Sequence, residues 1–183
     1  MSNVLNTSKN AWIPCGKTLW ILKLFDKGVV RVQLETKARS RSFWRSTCKH
    51  FGQTGNEQKE NSDANFTKSN GTESICSDHK LSEAIRLSDQ YIKENFEAAL
   101  CYQLSRTAEW RDKAVSDKMI AYLVSMCRDN TKSKEELLPE VESLKERVII
   151  LGEEIRDVGS LKQGDVAAWL SVIQHGNKVS LAQ

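Results

Sequence analysis

Histidine, proline and long apolar runs are what this chain has least of, and each shortage closes off a class of protein. Only three of 183 residues are histidine, His50, His79 and His175, and none has a nucleophile or acid arranged with it as a dyad by helical spacing. Glycine is sparse, and no glycine-rich loop offers backbone amides to a phosphate or an oxyanion. The chain is accordingly read as not an enzyme, with no cofactor, no metal and no small-molecule substrate. The longest apolar stretch, Leu19 to Phe25, is broken by Lys23 and is far too short to span a bilayer. Met1-Ser2-Asn3-Val4 does not begin a basic-then-apolar leader. These features lead to the expectation of a chain without membrane attachment that stays inside the cell, in the nucleus or the cytoplasm. Five irregularly spaced cysteines, Cys15, Cys48, Cys76, Cys101 and Cys127, are an odd number and read as reduced thiols rather than a disulfide framework.

Two fragments of motif fail on context. Gly16-Lys17-Thr18 resembles the end of a phosphate-binding loop, but Ala11 stands where the loop's first glycine belongs and a strand, not a helix, follows. Cys48-Lys49-His50 with Cys76-Ser77-Asp78-His79 holds two sulfurs and two nitrogens, yet the first spacing is too short for a zinc knuckle. Incidental placement accounts for both.

What the sequence does contain is an apolar heptad. Leu137, Val141, Leu144, Val148, Leu151, Ile155 and Val158 follow one another at alternating spacings of four and three residues. β-Branched residues at one seam position and mostly leucine at the other favour a two-stranded coiled coil. The seam is therefore the expected partner-binding surface, closing on a second copy or on helical subunits of a larger complex.

Upstream, Gly71 to Leu138 contains neither proline nor a further glycine, and Leu81, Ile85, Ile92 and Phe96 recur at helical spacing. That predicts one long helix. Near the N-terminus, Thr18 to Phe25 and Val29 to Thr36 are β-rich runs separated by Asp26-Lys27-Gly28, a hairpin signal. In the second run Val30, Val32 and Leu34 alternate with Arg31, Gln33 and Glu35. The hairpin needs cover from the helices or from a third strand near residues 40–47. The expected fold is mainly α: a long helix plus a heptad helix, arranged as an αα-hairpin or a coiled coil, with a small N-terminal β-hairpin element. The expected organisation is a mobile N-terminus (1–11), a basic β-hairpin element (12–51), a disordered linker (52–76), a helical coiled-coil domain (77–176) and a frayed tail (177–183).

Charge is divided unevenly. Residues 1–51 hold ten Lys or Arg against two acids, a net of +8, and residues 52–183 hold seventeen against twenty-two, a net of −5. Lys37, Arg39, Arg41, Arg45 and Lys49, interleaved with Phe43 and Trp44, form the most basic stretch. Cations neutralise phosphates and aromatic rings stack on bases, so these seven residues are the candidate nucleic-acid contact. Two functions follow: a non-catalytic assembly or scaffold subunit associating through coiled-coil helices, or, as the alternative, a nucleic-acid-binding accessory protein using residues 37–51.

Overall fold

The computed structural model describes residues 8–36, 41–51, 71–128, 130–151 and 153–182. The chain divides into two units, Met1–Arg106 and Thr107–Gln183.

In the first unit the β-rich runs form β1 (Ile13–Pro14), β2 (Leu19–Lys23), β3 (Gly28–Thr36), β4 (Ser42–His50) and β5 (Thr72–Asp78). They make one antiparallel sheet in the order β1-β2-β3-β4-β5. The hairpin read from the sequence is there as β2 and β3, but as the middle of a sheet rather than a small appendage. Gly28 is fixed by close approach, since a Cβ there would lie 2.2 Å from the Lys49 carbonyl oxygen. β5 begins inside the stretch read as linker; the rest of that stretch, 52–70, lies outside the described residues, as do 1–7. Within the expected mobile terminus, Asn10 Nδ2 donates to Asp89 Oδ1 at 2.8 Å, beside the Trp12 indole N–H, which donates to the same oxygen at 2.9 Å.

One face of this sheet is covered by α1 (Leu81–Asn95) and α2 (Ala98–Leu104). Leu22, Val30 and Val32 from the sheet are buried against Ile85, Ile92 and Leu104. A buried serine pair ties the layers together: Ser88 Oγ donates to the Ala84 carbonyl at 2.6 Å, leaving Ser46 Oγ to donate to Ser88 Oγ at 2.6 Å.

The single long helix expected after residue 77 is not formed. Phe96 and Ser105 take extended backbone at the ends of α1 and α2, and a 3₁₀ turn (Glu109–Asp112) precedes α3 (Asp117–Ser125). No proline or glycine is needed to break it. The Asn95 side-chain amide donates to the Tyr91 carbonyl at 2.8 Å, Phe96 turns back against the unit's core, and Ser116 caps the start of α3. Burial of Phe96 and Leu104 outweighs helical propensity here.

The second unit comprises α3, α4 (Lys134–Leu137), α5 (Val141–Lys145), β6 (Val148–Leu151), β7 (Glu154–Asp157), α6 (Gln163–Gln174) and β8 (Ser180–Ala182). Its three strands form an antiparallel sheet in the order β7-β6-β8, so β8 occupies part of the tail expected to fray. The mainly-α and coiled-coil expectation is therefore corrected: the described residues form eight strands in two antiparallel sheets, with short helices. The heptad helix is absent as such. Val148-Ile149-Ile150-Leu151 is a continuous apolar run, β-branched in its first three residues, that pairs on both sides as β6, and residues 154–157 pair with it as β7. Leu137, Val141, Leu144 and Val158 are buried in the unit's own core with Leu123, Ile149 and Trp169. Val148 and Leu151 are half-buried in β6, and Ile155 is 62% exposed on β7.

Candidate nucleic-acid interface

Opposed residues in paired strands point to the same side of a sheet, so register sorts the first unit's side chains into two faces. Trp20, Val32, Ser46 and Cys76 stand in one row across β2 to β5, on the face that the helices cover. The opposite face carries Lys23, Val29, Lys49 and Thr72 in one row, then Ile21, Arg31, Thr47 and Ser74, then Leu19, Gln33, Arg45 and Ser77, and finally Glu35 beside Phe43. Three side chains of this second face, Ile21, Val29 and Phe43, are buried; Arg31, Arg45 and Lys49 are exposed and Lys23 is half-buried. Four bases thus share this face, and Glu35 is the one acid on it among the described residues of β2 to β5.

The Arg45 guanidinium stands 3.2 Å from a Glu35 carboxylate oxygen and 5.7 Å from the Phe43 ring centroid. Both ends of the pair are partly exposed, where such a contact is worth about 0–1 kcal/mol and yields readily to a phosphate. Cys15 adds no charge: burial pushes its thiol up to about 11, against the pull of Lys23 and Arg31. Burial lowers the Lys23 ammonium, with Cys15 opposing that shift.

The residues proposed from sequence are dispersed by this geometry. Phe43, Arg45 and Lys49 share the basic face, and exposed Arg41 lies just before β4. Trp44 is on the other face, partly buried against the helix-covered core, and is not presented to a base. Lys37 and Arg39 lie outside the described residues. Lys23 and Arg31 were missed, although the alternation that sets Arg31 opposite Val30 and Val32 was itself the signal for Arg31. Of the motif fragments, Gly16-Lys17-Thr18 sits in the loop between β1 and β2.

At the covered edge, Tyr91 Oη donates to Glu73 Oε2 at 2.6 Å, and His50 Nε2 lies 3.6 Å from the same oxygen. Burial pushes the Cys48 thiol up to about 11; a hydrogen bond with Tyr91 lowers it and Glu73 raises it. Tyr91 is raised as well, first by burial and then by the Glu73 hydrogen bond. Cys48 is thereby held as a neutral thiol and Tyr91 as a neutral phenol, a structural cluster rather than an activated nucleophile.

The family described as mitochondrial helicase Irc3, C-terminal domain, matches residues 1–140, a span that includes the whole of the basic face. No curated protein and no solved structure matches the chain. The match overturns the expectation of a chain that is not an enzyme, since the family is named for a helicase. The expected place inside the cell agrees with a family named as mitochondrial, while the narrower assignment to nucleus or cytoplasm is not supported. With most of its length matched, the chain belongs to the Irc3 mitochondrial helicase C-terminal domain family.

Proposed function

We propose that the chain is the nucleic-acid-holding module of a mitochondrial helicase, gripping the phosphate backbone through the bases on the face of its five-stranded sheet opposite α1 and α2. The observation that carries this reading is the gathering of Lys23, Arg31, Arg45 and Lys49 on one face where Glu35 is the one acid among the described residues of β2 to β5. A helicase acts on nucleic acid, so the family name supports the same partner. Contacts of this kind are read through charge and release counterions, without base specificity. Thr47, Thr72, Ser74, Ser77 and Gln33 add uncharged donors among the bases, suited to phosphate oxygens. The sequence's basic-stretch alternative is retained in altered form: the contact is a sheet face assembled from three strands, not one linear segment. Homodimer formation along the heptad has no place in this reading, because its leucines are spent in the second unit's core.

The test is fluorescence anisotropy of a labelled oligonucleotide across a salt series. Four phosphate contacts predict a log–log slope of about −3. Replacing Arg31, Arg45 and Lys49 together with glutamine leaves one contact and reduces the slope to about −1. Binding that does not respond to salt, or that survives the triple replacement unchanged, refutes the reading.

A further inference from the structure

An irregularity in β5 decides which of its side chains join the basic face. Ser74 pairs with Thr47 but Cys76 pairs with Ser46, so Ile75 is an extra residue in the strand, a bulge. Regular alternation onward from Thr72 and Ser74 would bring Cys76 to the basic face beside Arg45 and turn Ser77 away. The bulge reverses that order. Ile75 and Cys76 both pack against the helix-covered core, and Ser77 stands beside Arg45 on the basic face. Ser74 and Ser77 are exposed there, and Thr72 is half-buried.

The result is two parallel rows. Lys49, Thr47 and Arg45 follow one another along β4, and each has a hydroxyl beside it on β5, from Thr72, Ser74 and Ser77 in turn. Arg31 flanks Thr47 from the other side, on β3. Alternate residues of a strand are about 7 Å apart and neighbouring strands about 5 Å apart, so the rows make a strip of three steps, each with a cation and a hydroxyl within reach. Successive phosphates of an extended nucleic-acid strand are spaced much like those steps. The β2 side of the same face differs, since Ile21 and Val29 there are apolar and buried and offer nothing to an anion. A hydroxyl donates to a phosphate oxygen without adding charge, so a row of them fixes a position that cations alone leave loose. Bulges that re-aim a side chain gather at functional sites, and this one completes the row.

Resting on the proposed function, we infer that one phosphate backbone lies lengthwise along the β4–β5 strip, held between the cations Arg31, Arg45 and Lys49 and the hydroxyls of Thr72, Ser74 and Ser77. The cations supply the salt-dependent affinity; the hydroxyls set the path.

The experiment uses the full chain and a labelled oligothymidylate across a salt series. Ser74→Ala with Ser77→Ala removes two exposed hydroxyls and no charge, and is expected to lower affinity about three- to tenfold at an unchanged salt slope. Ser74→Arg puts a further cation on the strip and is expected to raise affinity and steepen the log–log slope by about 0.7 to 0.9. Ala99→Arg adds the same charge at an exposed position of α2, which covers the other face, and is expected to leave the slope unchanged. Unchanged far-ultraviolet circular dichroism excludes unfolding. If the two arginine variants behave alike, or the double alanine variant binds as the parent does, the inferred path fails while the basic-face reading stands on its triple replacement. If the parent shows no salt-dependent binding, the reading of the basic face fails and the inference falls with it.

Discussion

The two units use nearly the same palette of residues to opposite effect. Residues 1–106 hold sixteen bases and eleven acids, a net of +5, whereas residues 107–183 hold eleven and thirteen, a net of −2. In the second unit several bases are answered locally: Lys132 by Glu140, Lys145 by Glu142 and Asp117, Arg156 by Glu154. On the sheet face of the first unit Lys23, Arg31, Arg45 and Lys49 share one side with Glu35, the one acid there among the described residues of β2 to β5, which pairs with Arg45. Pattern decides the outcome more than composition does. Alternation along a long strand collects every second residue on one side, so a basic sequence stretch becomes a basic surface. Short helices and 3₁₀ turns scatter charges and place opposite signs within reach of one another. Net charge alone is a weak guide to partners, and its distribution over faces is a better one.

The largest effect expected concerns the heptad residues, whose surface the second unit uses internally. Leu144→Ala removes a side chain that is 3% exposed and should cost about 2–5 kcal/mol in denaturant unfolding. Ile155→Ala, at 62% exposed, should change stability by less than about 0.5 kcal/mol. The Leu144 loss should not vary with protein concentration. Equal costs at the two sites, or a loss that fades as concentration rises, would restore the intermolecular seam and erase the contrast between the units.

A sharper division comes from the charges themselves. Glutamine at Lys132, Lys145 and Arg156 removes three bases from the second unit, as the variant at Arg31, Arg45 and Lys49 does from the first. The second-unit variant should bind an oligonucleotide within about twofold of the parent and with an unchanged salt slope. A loss matching the first-unit variant would mean that total charge, not the face, governs binding.

How much of this could be read beforehand differs by region for a physical reason. Period-two alternation from Val29 to Glu35 is a direct record of a half-buried strand, and the β2–β3 hairpin follows from it with Gly28. Partnership between strands distant in sequence leaves no such record, which is why Lys23, Arg31, Arg45 and Lys49 could not be gathered on one face in advance. The heptad failed because three- and four-residue spacings of Val, Ile and Leu fit short helices and strands equally well. Ile149, fully buried, and Ile150 beside it lie outside the seam, and a run of four apolar residues in 148–151 exceeds what a heptad uses. The long helix failed because Phe96 and Leu104 gain more by turning back into a core than by continuing the spiral, a tertiary effect that local propensity does not contain.

The smallest expected effect separates two carboxylates, one in each unit, that fold into similar roles by different means. Glu83 on α1 is lowered from its ordinary value chiefly by the hydrogen bond from Arg86, whose second nitrogen approaches to 2.6 Å. Glu136 on α4 is lowered chiefly by the Ser133 backbone amide, which donates to it at 2.7 Å, while Ser133 Oγ accepts from the Glu136 amide at 3.3 Å in a capping box. Each carboxylate has a folded pKa below its unfolded value. The stability each adds is therefore fully present above the unfolded pKa, about 4.3, and is lost as the pH falls through the lowered folded value. Glu83→Gln and Glu136→Gln should each flatten the fall in Tm between neutral pH and about pH 3. Molar salt distinguishes them. It screens an exposed ion pair but acts little on a hydrogen bond from an uncharged amide. The Glu83 difference should shrink in high salt and the Glu136 difference should persist. If both shrink together, the α4 cap is electrostatic like the α1 pair, and the two units hold their helices by the same means.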